Sequence, residues 1–307
     1  MRKALITGSQ GFVGYYLRKE LEENGYDVTG LDIQAGDNAM QVDLLNYEQI
    51  SQAVQLVKPD VVIHLAGQAN VANSWKIPQK TVEVNVIGTI NLMNAVRDYN
   101  LKVRMVLVGS SDQYGNLGAA GADVSEDIQT KPQTPYAVSK KAQEEMAQVY
   151  VRAYGMNICM TRSFNHGGAG QREGFMIPDF AAGIVRAEKG LAQEVRVGNL
   201  SARRDFTHVK DIVRAYRLIA EQGISGQVYN VGSGRTSSAQ EILDKLCAMA
   251  KCSVSVVTDP ARMRPSDTPV ICCNHNKLTK DTGWEPEYTI EDILSDTLVY
   301  YRTRYEE

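Results

Sequence analysis

Apolar residues in the first half of the chain fall into two alternating kinds of run. Short runs rich in β-branched and aliphatic residues occur at 3–7 (KALIT), 27–32 (DVTGLD), 61–65 (VVIHL), 103–108 (VRMVLV) and 157–161 (NICMT). Between them lie longer stretches with apolar residues at helical spacing, at 12–24, 47–57, 79–99 and 135–154. Gly25 is placed to cap the first of these, Pro59 stops the second, and Thr134 can cap the start of the last. Mostly apolar strands alternating with helices predict a parallel sheet covered on both faces. With right-handed crossovers this is an α/β, Rossmann-type doubly wound fold.

After about residue 163 the rhythm changes. The glycine-rich stretch at 165–174 (NHGGAGQREG) reads as a loop. Helical patterns at 175–189, 208–222, 238–250 and 289–304 are then mixed with short strands at 195–197, 227–231 and 254–257. No internal repeat or clean linker is visible. The expected organisation is a dinucleotide-binding domain over 1–163 and a smaller α/β substrate-binding portion over 164–307, partly interleaved with the first.

Composition narrows the function classes. The 307 residues carry 22% charged and 43% hydrophobic side chains at a net charge of −3, an ordinary globular balance. A mildly acidic chain without a basic arm argues against nucleic acid as a partner. The N-terminal apolar stretch is too short for a signal peptide, and no run reaches the ~20 residues of a membrane helix, so no membrane partner and a cytoplasmic location are expected. The five cysteines include the adjacent pair Cys272 and Cys273 and form no C-x-x-C, and only four histidines are present. No metal site is expected, and the thiols read as inert in a reducing compartment.

Candidate chemistry lies at the ends of the predicted strands. Gly8, Gly11 and Gly14 stand between the first strand and the first helix in the sequence TGSQGFVG. Glycines there permit a tight turn and close backbone approach to a pyrophosphate, which the helix N-terminus would attract. Asp32 ends the second strand, where a carboxylate accepts from ribose hydroxyls and repels a 2′-phosphate; this favours NAD(H), with NADP(H) possible. Asp43, followed by Leu44, could reach the adenine amine. Leu65, Ala66 and Gly67 end the fourth strand with side chains small enough for a cofactor to approach. Tyr136 and Lys140 share one helix face at i,i+4, and a nearby ammonium would lower the phenol pKa so that it exchanges a proton near neutrality. Tyr15 and Lys19 have the same spacing but no such context, and read as structural. Ser110, one strand upstream of Tyr136, could hydrogen-bond a substrate carbonyl.

Together these residues resemble the extended short-chain dehydrogenase/reductase (NAD-dependent epimerase/dehydratase) family. The match spans nearly the whole chain, through TGxxGxxG at 7–14, HLAG at 64–67, NVIG at 85–88, Ser110 and the Tyr136/Lys140 pair. The resemblance implies Tyr136 as general acid/base, Ser110 as carbonyl partner, Lys140 as ribose anchor and Asn85 as a support or proton relay. It also places Gln10, Phe12, Val13, Ile33, Val108, Phe164 and His166 among the cofactor contacts, and Ser111, Asn165 and Gly198 with the substrate. The segments GNLSARRD at 198–205 and RPSD at 264–267 are similar to those of members acting on GDP-mannose sugars. There Arg204 and Arg264 would clamp the diphosphate and Asp267, one methylene shorter than the family's glutamate, would take the nucleotide ribose.

Within the family, the pattern is most similar to reductases converting GDP-4-keto-6-deoxy-D-mannose to GDP-D-rhamnose. The alternative is GDP-mannose 4,6-dehydratase or another nucleotide-sugar epimerase or dehydratase. In dehydratases the extra acid/base would fall at Asp112, where they carry glutamate, and the loop here reads Gly170-Gln171-Arg172 rather than carrying an Arg-Arg pair. A non-catalytic dinucleotide sensor is the third possibility, and the intact Tyr136, Lys140 and Ser110 argue against it. The resemblance further implies a homodimer formed by the helices at 79–99 and 135–154.

Overall fold

A computed structural model describes residues 1–36, 38–192, 194–260 and 269–305; Arg264 and Asp267 lie outside the described residues. Seven parallel strands form the central sheet: β1 (Arg2–Thr7), β2 (Tyr26–Asp32), β3 (Ala39–Gln41), β4 (Val61–His64), β5 (Arg104–Ser110), β6 (Ile158–Ser163) and β10 (Val228–Val231). Their spatial order is β10-β6-β5-β4-β1-β2-β3. The order reverses beside β1, so a crevice opens at the carboxyl ends of β1 and β4, where doubly wound folds bind ligands.

Neighbouring strand residues serve opposite faces, and both faces are buried. Leu5, Val62, Met105 and Leu107 meet Ile50 and Val54 of α2 (Tyr47–Val57) and Leu92 and Val96 of α5 (Gly88–Tyr99). On the other face Ala4, Ile6, Ile63 and Val106 meet Leu17 and Leu21 of α1 (Phe12–Glu23) and Ile212, Tyr216 and Ile219 of α8 (Val209–Gln222). This two-sided burial explains why these strands lack a polar face. β10 and α8 both come from the second half of the chain, so the fold's central core is completed by residues well beyond 163.

The stretch expected as one helix over 79–99 is helical throughout but is interrupted by a π-helical turn. α3 (Val71–Lys76) precedes α4 (Pro78–Val82), and a π-helical turn over Glu83–Ile87 joins α4 to α5. The Thr89 hydroxyl donates to the Asn85 carbonyl within this turn (2.7 Å). Widened turns of this kind favour functional sites because they re-aim a side chain. Here it is Asn85.

The loop expected at 165–174 begins as a strand, β7 (Asn165–Gly167). It pairs with β9 (Arg203–His208), which also carries β11 (Thr236–Ser238) and β13 (Val270–Ile271). A further pair joins β8 (Glu194–Val197) to β12 (Ser255–Thr258). Four helices support this half: α7 (Met176–Glu188), α9 (Ala239–Ala248), α10 (Asn276–Thr282) and α11 (Ile290–Arg304). Asp205 of β9 is fully buried and ties the half together. It accepts from the Ser233 amide and hydroxyl, the Gly234 amide and the Cys273 amide at 2.7–3.1 Å. Among the described residues no helix is long and apolar enough to cross a membrane.

Candidate active site

The glycine loop follows β1, and its glycines do different work. Gly8 has φ +72°, and a Cβ there would meet the Ala66 backbone nitrogen at 2.8 Å, so the loop lies directly against the end of β4. A Cβ on Gly14 would meet the Gly8 carbonyl at 2.5 Å, so helix and loop also pack without side chains. Gly11 is exposed at the N-cap of α1, a helix with no side-chain cap and no acid in its first turn. An open helix N-terminus next to exposed Gln10 and Gly11 suits a pyrophosphate, while Phe12 and Val13 begin the helix. Asp32 lies alongside: its Oδ2 accepts from the Gln10 amide (3.0 Å) and its Oδ1 from the Gln34 amide (3.1 Å). The next residue, Ile33, is exposed. Asp43 is exposed and accepts from the Leu45 amide, while buried Leu44 packs against Gly88 at the start of α5.

The candidate reacting pair is set by β5 and α6 (Pro135–Tyr154). Thr134 caps α6 by accepting from the Ala137 amide (3.0 Å), and Pro135 occupies the first turn, which fixes Tyr136 at the helix start. Ser110 ends β5, and its hydroxyl is hydrogen-bonded to that of Tyr136. Burial pushes the Tyr136 phenol pKa well up, Asp112 adds to the rise, and the Ser110 bond opposes it in part. Lys140 does not lower the phenol as expected. Its ammonium turns to the Val108 carbonyl (2.8 Å) and Gln143 Oε1 (3.1 Å), and desolvation of the phenol dominates. Tyr136 therefore carries its proton at neutral pH, the form that can donate one. Burial also lowers Lys140 to about 8. The Tyr15/Lys19 pair lies away from this group, with the ammonium over the exposed Tyr15 ring at 4.6 Å.

Asn85 stands behind the site. It is fully buried and accepts from the Gln68 amide (2.7 Å) while donating to the Gln68 carbonyl and Ser139 hydroxyl. It thus joins the loop after β4 to α6. A Cβ on Gly67 would meet Asn85 Oδ1 at 2.8 Å and Lys140 Nζ at 3.6 Å, so the gap left by that glycine opens onto both groups. His64 and its partners escape sequence reading. The Thr89 hydroxyl donates to Asn85, so it accepts from His64 Nε2 (2.8 Å), and His64 Nδ1 then accepts from the Thr7 hydroxyl (2.6 Å). Burial first, and Lys140 second, hold His64 neutral.

The remaining candidates lie on or next to β7, β8 and β9 and in the turn after β5. His166 stacks on Phe12 (6.4 Å, 9°), joining β7 to the glycine loop, and its Nδ1 bonds the Phe164 carbonyl. The Phe164 ring is buried against Tyr114, Ser111 is buried, and Asn165 is exposed. Gly198 follows β8. Arg204 is half-buried on β9, where one of its nitrogens donates to the Arg203 carbonyl (2.8 Å). A surface depression of about 360 Å³ lined by Arg172, Glu173, Tyr301, Arg304 and Tyr305 shares no residue with the site.

The geometry can be set beside known proteins. A family model described as GDP-mannose 4,6 dehydratase matches residues 5–297. The chain is 33% identical over 307 residues to a GDP-6-deoxy-D-mannose reductase of Pseudomonas aeruginosa, covering 100% of this chain and 99% of that protein. It is 28% identical to a GDP-mannose 4,6-dehydratase of Vibrio cholerae, covering 97% and 93% respectively. Among solved structures, RMD from Pseudomonas aeruginosa complexed with NADPH superposes with a TM-score of 0.90 at 32% identity, covering 99% of this chain and 100% of the other. A UDP-glucose 4-epimerase of Thermotoga maritima with UDP-glucose also reaches 0.90, at 27% identity and 99% coverage of both chains.

Proposed function

This chain belongs to the GDP-mannose 4,6 dehydratase family within the extended short-chain dehydrogenases/reductases, and from that premise we propose that it reduces the C4 ketone of GDP-4-keto-6-deoxy-D-mannose to give GDP-D-rhamnose. The full-length similarity to the Pseudomonas GDP-6-deoxy-D-mannose reductase carries the reading.

A nicotinamide dinucleotide, when bound, would supply the hydride. Gly8, Gly11 and the open N-terminus of α1 receive its pyrophosphate, and Asp32 at the end of β2 favours a free ribose 2′-hydroxyl and hence NADH. Ser110 hydrogen-bonds the C4 oxygen of the sugar. Tyr136, protonated at neutral pH, gives that oxygen its proton. The Lys140 ammonium holds the nicotinamide ribose. Arg204 and Arg264 meet the substrate diphosphate, for which guanidinium is the suited partner. The active unit is a cytoplasmic homodimer formed through the helices of 78–99 and α6, on which Val82, Ile87, Val138 and Val149 are exposed in the single chain.

A second reading, the 4,6-dehydratase, is favoured by one observation: the Asp112 carboxylate, in the turn that follows Ser110, acts electrostatically on Tyr136, as the extra acid/base of a dehydratase would. Purified protein separates the two. Given GDP-4-keto-6-deoxy-D-mannose and NADH it should oxidise the NADH and form GDP-D-rhamnose. Given GDP-mannose alone it should form no keto sugar, and clear formation would replace the reductase reading with the dehydratase one.

A further inference from the structure

Beneath the Ser110–Tyr136 pair lies a buried polar network that the mechanism leaves unused. Gln113 is fully buried in the short 3₁₀ turn Ser111–Tyr114. Its Oε1 accepts from the Ser110 amide (3.1 Å), and its Nε2 donates to Glu144 Oε2 (2.8 Å). Glu144 is one helical turn beyond Lys140 on α6. It also accepts from Arg162 Nε (2.9 Å), Arg162 Nη2 (2.8 Å) and Lys141 Nζ (3.1 Å). Burial works against its ionisation, but the Arg162 bonds and charge outweigh that and keep its pKa below the usual carboxylate range.

An ionised carboxylate can only accept hydrogen bonds. Gln113 must therefore turn its NH₂ to Glu144 and its carbonyl to Ser110; the flipped amide would set oxygen against oxygen. The far end of the turn is held by the same cation. Arg162 Nη1 donates to the Tyr114 hydroxyl (3.0 Å), which donates to Asn230 Oδ1 (2.7 Å).

We propose that Gln113 is a positioning residue for the proton-donating pair: its amide, held in one orientation by the buried Glu144–Arg162 ion pair, keeps Ser110 and Asp112 in register with Tyr136. One helix then carries both the proton donor and the anchor for the serine's turn. The inference rests on the reading of Tyr136 and Ser110 as the reacting groups and adds what aligns them. Misplacement by about 1 Å near a reacting group costs on the order of a hundredfold in rate.

The test is Gln113→Leu, assayed with GDP-4-keto-6-deoxy-D-mannose and NADH, alone and combined with Ser110→Ala. The expected result is a fall in kcat of about tenfold or more, with the Kd for NADH within about twofold of wild type. The two substitutions should be strongly non-additive in kcat, because Gln113 acts through Ser110. A smaller fall, or additive losses, overturns the proposal. If Gln113→Leu does not fold, the isosteric Gln113→Glu decides. Protonated, the new acid can donate to Glu144 and accept from Ser110; ionised, it faces a second carboxylate next to Arg162 and Lys141. Its kcat should therefore be retained at low pH and fall as pH rises, relative to wild type, and a wild-type pH profile overturns the proposal. Tyr136→Phe, run in parallel, separates the two layers: full activity there removes the reading of the reacting pair itself.

Discussion

Tyr136 holds its proton because burial penalises the phenolate and Asp112 adds a like charge, while the Ser110 bond recovers only part of that. A reductase needs this at the moment of transfer, since the hydride creates an alkoxide that must be protonated. Tyr136→Phe should lower kcat by roughly 10²–10⁴-fold, while titration of NADH fluorescence should give an unchanged Kd. Lys140 supplies the pH limit. Burial brings its pKa down to about 8, so its charge is complete below that pH and lost above it. If the ammonium is what holds the ribose, kcat/KM should fall as pH rises through about 8, and Lys140→Met should remove that limb at a lower overall rate. Asp32 is judged by cofactor competition. The wild type should show a lower KM for NADH than for NADPH, and Asp32→Ala should narrow the ratio by about tenfold, roughly 1.4 kcal/mol. A wild type preferring NADPH would refute the role given to this carboxylate.

At the level of elements, the π-helical turn at Glu83–Ile87 carries Asn85, which bonds both Gln68 and Ser139. Asn85→Ala leaves buried partners unpaired, so denaturant unfolding should show a loss of about 1–3 kcal/mol. Weaker NADH binding should accompany it, since the loop after β4 flanks the crevice. Such a turn was invisible in the sequence. The stretch at 79–99 reads as one ordinary helix, and nothing local announces the carboxamide's distant partners. By contrast β1, β4, β5 and β6 were legible because burial on both faces leaves an apolar run. β7, β9, β11 and β13 were not, being short and partly polar and paired only with segments remote in the chain. The same holds for the site. The Tyr136/Lys140 spacing and the glycine loop are local patterns, whereas His64–Thr89 and Gln113–Glu144 are contacts that only the tertiary structure brings together.

For the molecule as a whole, the mild net negative charge says little about an anionic ligand, because the groups that would receive phosphate are local: backbone amides at α1 and the guanidinium of Arg204. The proposed dimer would cover apolar side chains that the helices of 78–99 and α6 leave exposed, Val82, Ile87, Val138 and Val149 among them. Val138→Glu should convert a dimer into a monomer in sedimentation velocity with the fold intact; a wild type that sediments as a monomer would remove the dimer. The last strand of the central sheet has a different consequence. β10 is laid beside β6, yet 64 residues separate Ser163 from Val228. A ribosome therefore releases six parallel strands whose outer edge has no neighbour, with Tyr114 lacking Asn230. Nascent chains halted before residue 228 should be the aggregation-prone species. The sheet is finished, and the serine's turn pinned at its far end, only once most of the message has been translated.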